Sequence, residues 1–116
     1  MTYTILNKDD LPRAVCTNSA TLEGNRYGGT NVSFFWVELA PGDGPRLHRH
    51  PCEEVLIVVD GCGTFVLGSE TLEAMAGQIV IVPPDMPHKF TNSGMGVLKQ
   101  IDIPPSKQIV TEWLED

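Results

Sequence analysis

Glycine and proline interrupt this chain so often that long regular segments have little room: there are 11 glycines and 9 prolines in 116 residues. What lies between the interruptions is short and rich in β-branched and aromatic side chains. Val32–Leu39 (VSFFWVEL) is broken by Pro41-Gly42-Asp43-Gly44-Pro45, and Val55–Val59 (VLIVV) ends at Asp60-Gly61. Thr64–Leu67 and Thr71–Ala74 flank Gly68-Ser69-Glu70 and read as a hairpin. Ile79–Val82 stops at Pro83-Pro84, and Arg46–His50, His88–Thr91 and Val97–Ile103 read as further strands. No stretch of about 10–15 residues repeats its apolar positions at helical spacing. Short strands at this density imply an all-β sandwich or barrel. The tail, Ser106–Asp116, is compatible with a helical turn or an edge strand.

Composition narrows the partners. The chain of 12.7 kDa is sized for one domain over residues 1–116. Its formal charge of −7, with no cluster of Lys or Arg, argues against nucleic acid and an anionic membrane surface, because both need a basic footprint. No apolar run approaches the roughly 20 residues that span a bilayer. The opening MTYTILNKDDLPRA has no basic start followed by an apolar stretch, so a cytoplasmic location is expected. Cys16, Cys52 and Cys62 are odd in number and lack CxxC spacing, which fits a reducing compartment better than a disulfide framework.

The placement of the 3 histidines carries the most chemistry. His48 and His50 are two apart, so on a strand both imidazoles point to one side. Glu54 keeps that parity beyond a bend at Pro51, and His88 sits on another expected strand after a proline-rich loop. Three imidazoles and a carboxylate suit one divalent first-row ion: Fe, Mn, Zn, Ni or Cu. Neutral imidazoles and one carboxylate leave such a centre a formal charge of about +1, and a six-coordinate ion would keep positions for water, substrate or dioxygen.

Gly42-x5-His48-x-His50-x3-Glu54-x6-Gly61 resembles the first motif of the cupin superfamily at every fixed position. Gly77-x5-Pro83-x-Asp85-x2-His88-x3-Asn92 resembles the second, except that Asp85 stands where the family has glycine, a change that bears on loop shape. The two motifs, at 42–61 and 77–92, are separated by a spacer short for the family, and together absorb every histidine. The resemblance implies a small double-stranded β-helix, the jelly-roll barrel of cupins. It implies metal ligation by the positions matched by His48, His50, Glu54 and His88, and shaping of turns and loops by Gly42, Gly61, Gly77, Pro83 and Asn92.

Several neighbours enter by parity alone. Arg46 shares the side of His48 and His50 and is a candidate to clamp a carboxylate or enolate oxygen of a substrate. Phe90, two residues after His88, is a candidate pocket wall. Cys52 has inward parity in a register that Pro51 disturbs, Glu53 is expected to face solvent, and Cys16 and Cys62 read as inert small residues. On the last strand Gln100 and Asp102 share parity with Leu98, against Lys99, Ile101 and Ile103; either set fits the interior.

Phe34 and Trp36 alternate with Phe35, Val37 and Leu39, so both faces of that strand are apolar. Excess apolar sheet surface implies a second subunit, and resembling cupins commonly form homodimers sheet on sheet. For function, the resemblance implies a metalloenzyme acting on a small oxygen-bearing organic molecule, by dioxygenase, isomerase or lyase/cyclase chemistry. The alternative is a metal-loaded module that binds or senses a small ligand without turnover. With all histidines spent on the metal, no catalytic acid or base is assignable from the sequence.

Overall fold

The computed structural model describes residues 2–116, and its regular secondary structure is almost entirely antiparallel strand. In chain order these are β1 (Ala20–Leu22), β2 (Phe34–Leu39), β3 (His48–Arg49), β4 (Glu54–Asp60) and β5 (Cys62–Leu67). They continue with β6 (Glu70–Met75), β7 (Ile79–Val82), β8 (His88–Asn92), β9 (Leu98–Ile103) and β10 (Glu112–Trp113). Two five-stranded sheets result, ordered β1-β2-β9-β4-β7 and β10-β3-β8-β5-β6. Apart from the β1–β2 and β5–β6 hairpin pairs, successive strands pass between the sheets, the jelly-roll pattern that the glycine and proline spacing anticipates.

The period of two sets the core. Glu54, Leu56 and Val58 of β4 are buried, whereas Val55 and Ile57 between them face outward. The same alternation places Val37, Leu39, Phe65, Val80, Val82, Phe90 and Leu98 in one cluster between the sheets. Each large aliphatic or aromatic side chain buried there contributes roughly 1.5–3 kcal/mol. That sum comes from the sheets, so the barrel has a core independent of any ion. Gly61 and Gly44 are among the glycines that admit no side chain. Gly61 turns β4 into β5 at φ 86°, and a Cβ on Gly44 would lie 2.0 Å from the Phe90 carbonyl oxygen.

Four details depart from the sequence reading or complete it. The first long strand begins at Phe34, because Ser33 is drawn aside: its hydroxyl accepts from the Gly24 amide at 3.1 Å and donates to the Ser106 carbonyl at 2.7 Å. The tail resolves as an edge strand, with β10 pairing antiparallel to β3 through Glu112 opposite Arg49 and Trp113 opposite His48. Residues Ala20–Leu22, which the sequence did not mark, extend the first sheet by pairing with β2. Asp85 takes the left-handed conformation, φ 63°, that a glycine would take there, and its amide donates to the His50 carbonyl at 2.8 Å.

Candidate metal centre

The second sheet brings the imidazoles together. His48 on β3 lies directly opposite His88 on β8, and His50 follows two residues on with the same inward direction. After the bend at Pro51-Cys52 the chain enters the other sheet with Glu54 as its first residue. The carboxylate therefore approaches the imidazoles from across the barrel. All four side chains are buried, and their ligating atoms lie within 4.8 Å of one another.

Backbone carbonyls fix how the rings present themselves. Nδ1–H of His48 donates to the Arg46 carbonyl at 2.7 Å, that of His50 to Val110 at 2.9 Å, and that of His88 to Met86 at 2.9 Å. A carbonyl oxygen only accepts, so each neutral ring carries its proton on Nδ1 and turns the lone pair of Nε2 toward the centre. There the lone pairs meet an acceptor. Nε2 of His88 is 3.1 Å from Glu54 Oε1, and Nε2 of His50 is 3.6 Å from Glu54 Oε2 and has no hydrogen-bond partner at all. Three lone pairs converging on a carboxylate in a buried space repel one another unless a cation lies among them. The residues present therefore fit a divalent ion, and the carbonyl-bound Nδ1 atoms are the outer partners that orient metal-binding histidines.

Electrostatics favour the neutral, ligating form. Burial pushes the His48 imidazole down to about 4, and the neighbouring His88 and His50 press it the same way, so this ring is neutral at neutral pH. Asp102 is pushed the other way. Burial first, then the negative charge of Glu54, holds its carboxyl well above the usual carboxylate range.

A cavity of about 310 Å³ opens beside His48, His50 and Glu54. Val15, Phe35, Val37, Phe90, Ile109 and Trp113 give it apolar walls, and Arg13 and Asp102 are among its polar borders. The structure thus brings Phe90 to the cavity, where it also packs on Phe65 with ring centroids 5.5 Å apart. Arg46 does not border it. Its guanidinium lies over the Trp113 ring, 4.9 Å from the centroid, and Nε donates to Cys16 Sγ at 3.0 Å. Parity of Cα positions placed Arg46 beside the ligands, but a long flexible side chain can turn back over an aromatic face, and here the cation–π contact sets its direction. Cys52 stands outside the four-residue group and borders a separate small cavity behind His50. Burial raises its thiol, which disfavours the thiolate a metal would need. The three cysteines are free, and Glu53 is exposed.

Sequence reasoning left three contributors unassigned. The N-terminal segment supplies Arg13 and Val15, the C-terminal segment supplies Ile109 and Trp113, and β9 turns Gln100 and Asp102 inward. The tail carried a usable signal: Ile109, Thr111 and Trp113 alternate, as a strand lining one face must.

A two-sheet jelly roll with three histidines and a glutamate converging between the sheets is the architecture of a cupin. The profile of the cupin domain matches residues 35–104, and the chain belongs to that family. An uncharacterised protein of Methanocaldococcus jannaschii is 33% identical over 81% of this chain and 78% of its own length. Auxin-binding protein 4 of Zea mays is 34% identical over 80% of this chain and 53% of its own. Among solved structures, Bacillus subtilis oxalate decarboxylase, studied for its Mn(II) centres, superposes with a TM-score of 0.82 at 19% identity, over 91% of this chain and 30% of that one. The Lactobacillus farciminis oxalate decarboxylase formate complex also gives 0.82, at 21% identity, over 91% and 34%. The chain therefore spans about half of the maize relative and about a third of the decarboxylases, and at these identities the latter show the fold alone.

Proposed function

We propose that this cupin is a metal-dependent enzyme acting on a small oxygen-bearing organic molecule, with His48, His50, Glu54 and His88 as the ligands of one divalent ion. The observation that carries the reading is the set of three Nε2 lone pairs, each fixed by a carbonyl on the far side of its ring, facing a buried carboxylate at the edge of an apolar cavity. A bound divalent ion would supply Lewis acidity toward a carbonyl, enolate or carboxylate oxygen, the common ground of dioxygenase, isomerase and lyase/cyclase chemistry.

The chain's own residues supply the rest. Phe35, Val37, Phe90 and Trp113 hold the apolar body of a substrate and keep bulk water from its reacting end. Asp102 provides a titratable carboxyl in the wall apart from the ligands, the kind of group that proton transfer requires and that the histidine count alone does not offer. Arg13, rather than Arg46, is the cation bordering the cavity and the better candidate to meet an anionic oxygen.

The second reading, a metal-loaded binding or sensor module, draws support from the plant relatives, whose names record binding rather than turnover. Metal-reconstituted protein incubated with diketones, flavonols, hydroxy acids and keto acids, in air and without oxygen, separates the two. Conversion of any of them supports the enzyme. Binding without conversion across the whole panel and every metal assigns the module instead. Oxygen dependence then sorts oxygenation from isomerisation or lyase chemistry.

The proposal extends to a second copy of the chain. Trp36, Ile101, Ile57 and Ile79 are aligned across four strands on the outer face of the first sheet, beside a second row of Ile103, Val55 and Ile81. Ile79 and Ile81 are 61% and 66% exposed, part of a continuous apolar face that a homodimer would cover.

A further inference from the structure

The interior of the first sheet is largely aliphatic: Val37, Leu39, Leu56, Val58, Val80 and Val82. Apart from the ligand Glu54 on β4, the buried polar side chains of this inner face come from β9, with Gln100 at 0% and Asp102 at 4% exposure. Burying an amide and a carboxyl is costly unless their hydrogen bonds are made, and here they are made by half. Gln100 Nε2–H donates to Asp102 Oδ1 at 2.7 Å, while Gln100 Oε1 is buried with no partner. Among the described residues no donor reaches the second oxygen of Asp102. Asp102 borders the cavity and Gln100 does not, so Gln100 braces a carboxyl whose remaining capacity faces the space where a ligand lies.

The position relative to the metal ligands is set by the ladder. Asp102 is directly opposite Leu56, which makes it the diagonal neighbour of Glu54 on the same inward face. Such diagonal pairs lie about 7–8 Å apart between backbones. A molecule anchored by one oxygen group beside Glu54 therefore meets Asp102 with a group a few atoms further on. The cross-strand neighbours there, Phe35 opposite Asp102 and Val37 opposite Gln100, offer no competing polar contact. A hydroxyl both donates and accepts, so it pairs with this carboxyl whichever protonation state Asp102 holds; a second carboxylate does not.

Resting on the metal-site reading above, we propose that Asp102, held by Gln100, is a specificity-determining residue that selects hydroxylated carboxylates over their plain counterparts. The test uses manganese-loaded full-length protein titrated calorimetrically with mandelate and with phenylacetate, which differ by one hydroxyl. Wild type is expected to prefer mandelate by about tenfold, the worth of one buried hydrogen bond. D102N, which can still donate and accept, is expected to keep most of that preference. The Q100L/D102L double variant, which removes both partners and leaves neither orphaned, is expected to bind the two acids within about twofold of each other. A mandelate preference surviving in the double variant would mean that the hydroxyl is read by the metal or another wall, and would overturn the proposal. So would a wild type that does not discriminate. Failure of both acids to bind the loaded protein at millimolar concentration would count against the metal-site reading itself, and the proposal would fall with it. Manganese uptake by the double variant, followed by electron paramagnetic resonance, reports separately that the ligand set is intact.

Discussion

Asn92 shows how much a single side chain holds in this barrel. Its Nδ2 donates to the carbonyls of Leu39 and Gly96, both at 2.8 Å, and its Oδ1 accepts from the Gly94 amide at 2.9 Å. Asn92→Ala would strand those backbone groups, part of them buried, and is expected to cost about 2–4 kcal/mol in urea unfolding. An unchanged midpoint would show that water replaces the amide. His50→Ala is expected to do the reverse: circular dichroism still reports a folded barrel, because the core is the aliphatic cluster, while metal binding is lost. If the metal-free variant is unfolded, the site is structural. The histidines and Glu54 were legible in the sequence because a period of two and the spacing of both motifs constrain them. Asp102 was not. On β9 the outward residues Ile101 and Ile103 are apolar and the inward Gln100 and Asp102 polar, the inverse of the usual alternation, so parity alone could not say which set faces the cavity.

At the scale of elements, the tail does more than close an edge. Strand β10 pairs with β3, the Leu114 amide donates to the Leu47 carbonyl at 2.9 Å, and Trp113 lies against His48 with ring centroids 5.2 Å apart. The ion pairs Arg49–Glu112 and Lys89–Glu115 lie on the exposed side and add little each. The decisive contact is the Val110 carbonyl, which orients His50. A chain ending at Ile109 loses it, and its metal affinity is expected to fall about 10–100-fold, the usual cost of an outer partner. Unchanged affinity in competition with a chelator would show that His50 needs no such brace. Trp113 also gives a reporter: manganese or nickel added to metal-free protein is expected to quench its fluorescence, and Trp113→Phe to remove most of that change. The two-residue length of β10 explains why hydrophobic pattern could not separate it from a helical turn, and β1, three residues long, escaped for the same reason.

At the scale of the whole molecule, the long apolar run of β4 has two explanations at once. Leu56 and Val58 fill the core, whereas Val55 and Ile57 belong to the outer apolar face. Read as a sequence, such a run announces a strand but hides which half is interior. Light scattering at micromolar concentration is expected to give about twice the chain mass of 12.7 kDa. Ile79→Lys with Ile81→Lys, both on the exposed edge strand β7, is expected to return the mass to that of one chain without unfolding it. A monomeric wild type would leave this face without the partner proposed for it.

The central claim is that His48, His50, Glu54 and His88 together hold one divalent ion. The most direct measurement is elemental analysis of metal-free protein after equilibrium dialysis against manganese, iron(II), nickel, copper and zinc in turn, for wild type and for His50→Ala and Glu54→Gln. The structure predicts one ion per wild-type chain for at least one of these metals, and a loss of that ion in both variants, since one removes a ligating nitrogen and the other the only negative charge of the ligand set. No ion above background with any metal, or a full equivalent retained by both variants, would contradict it.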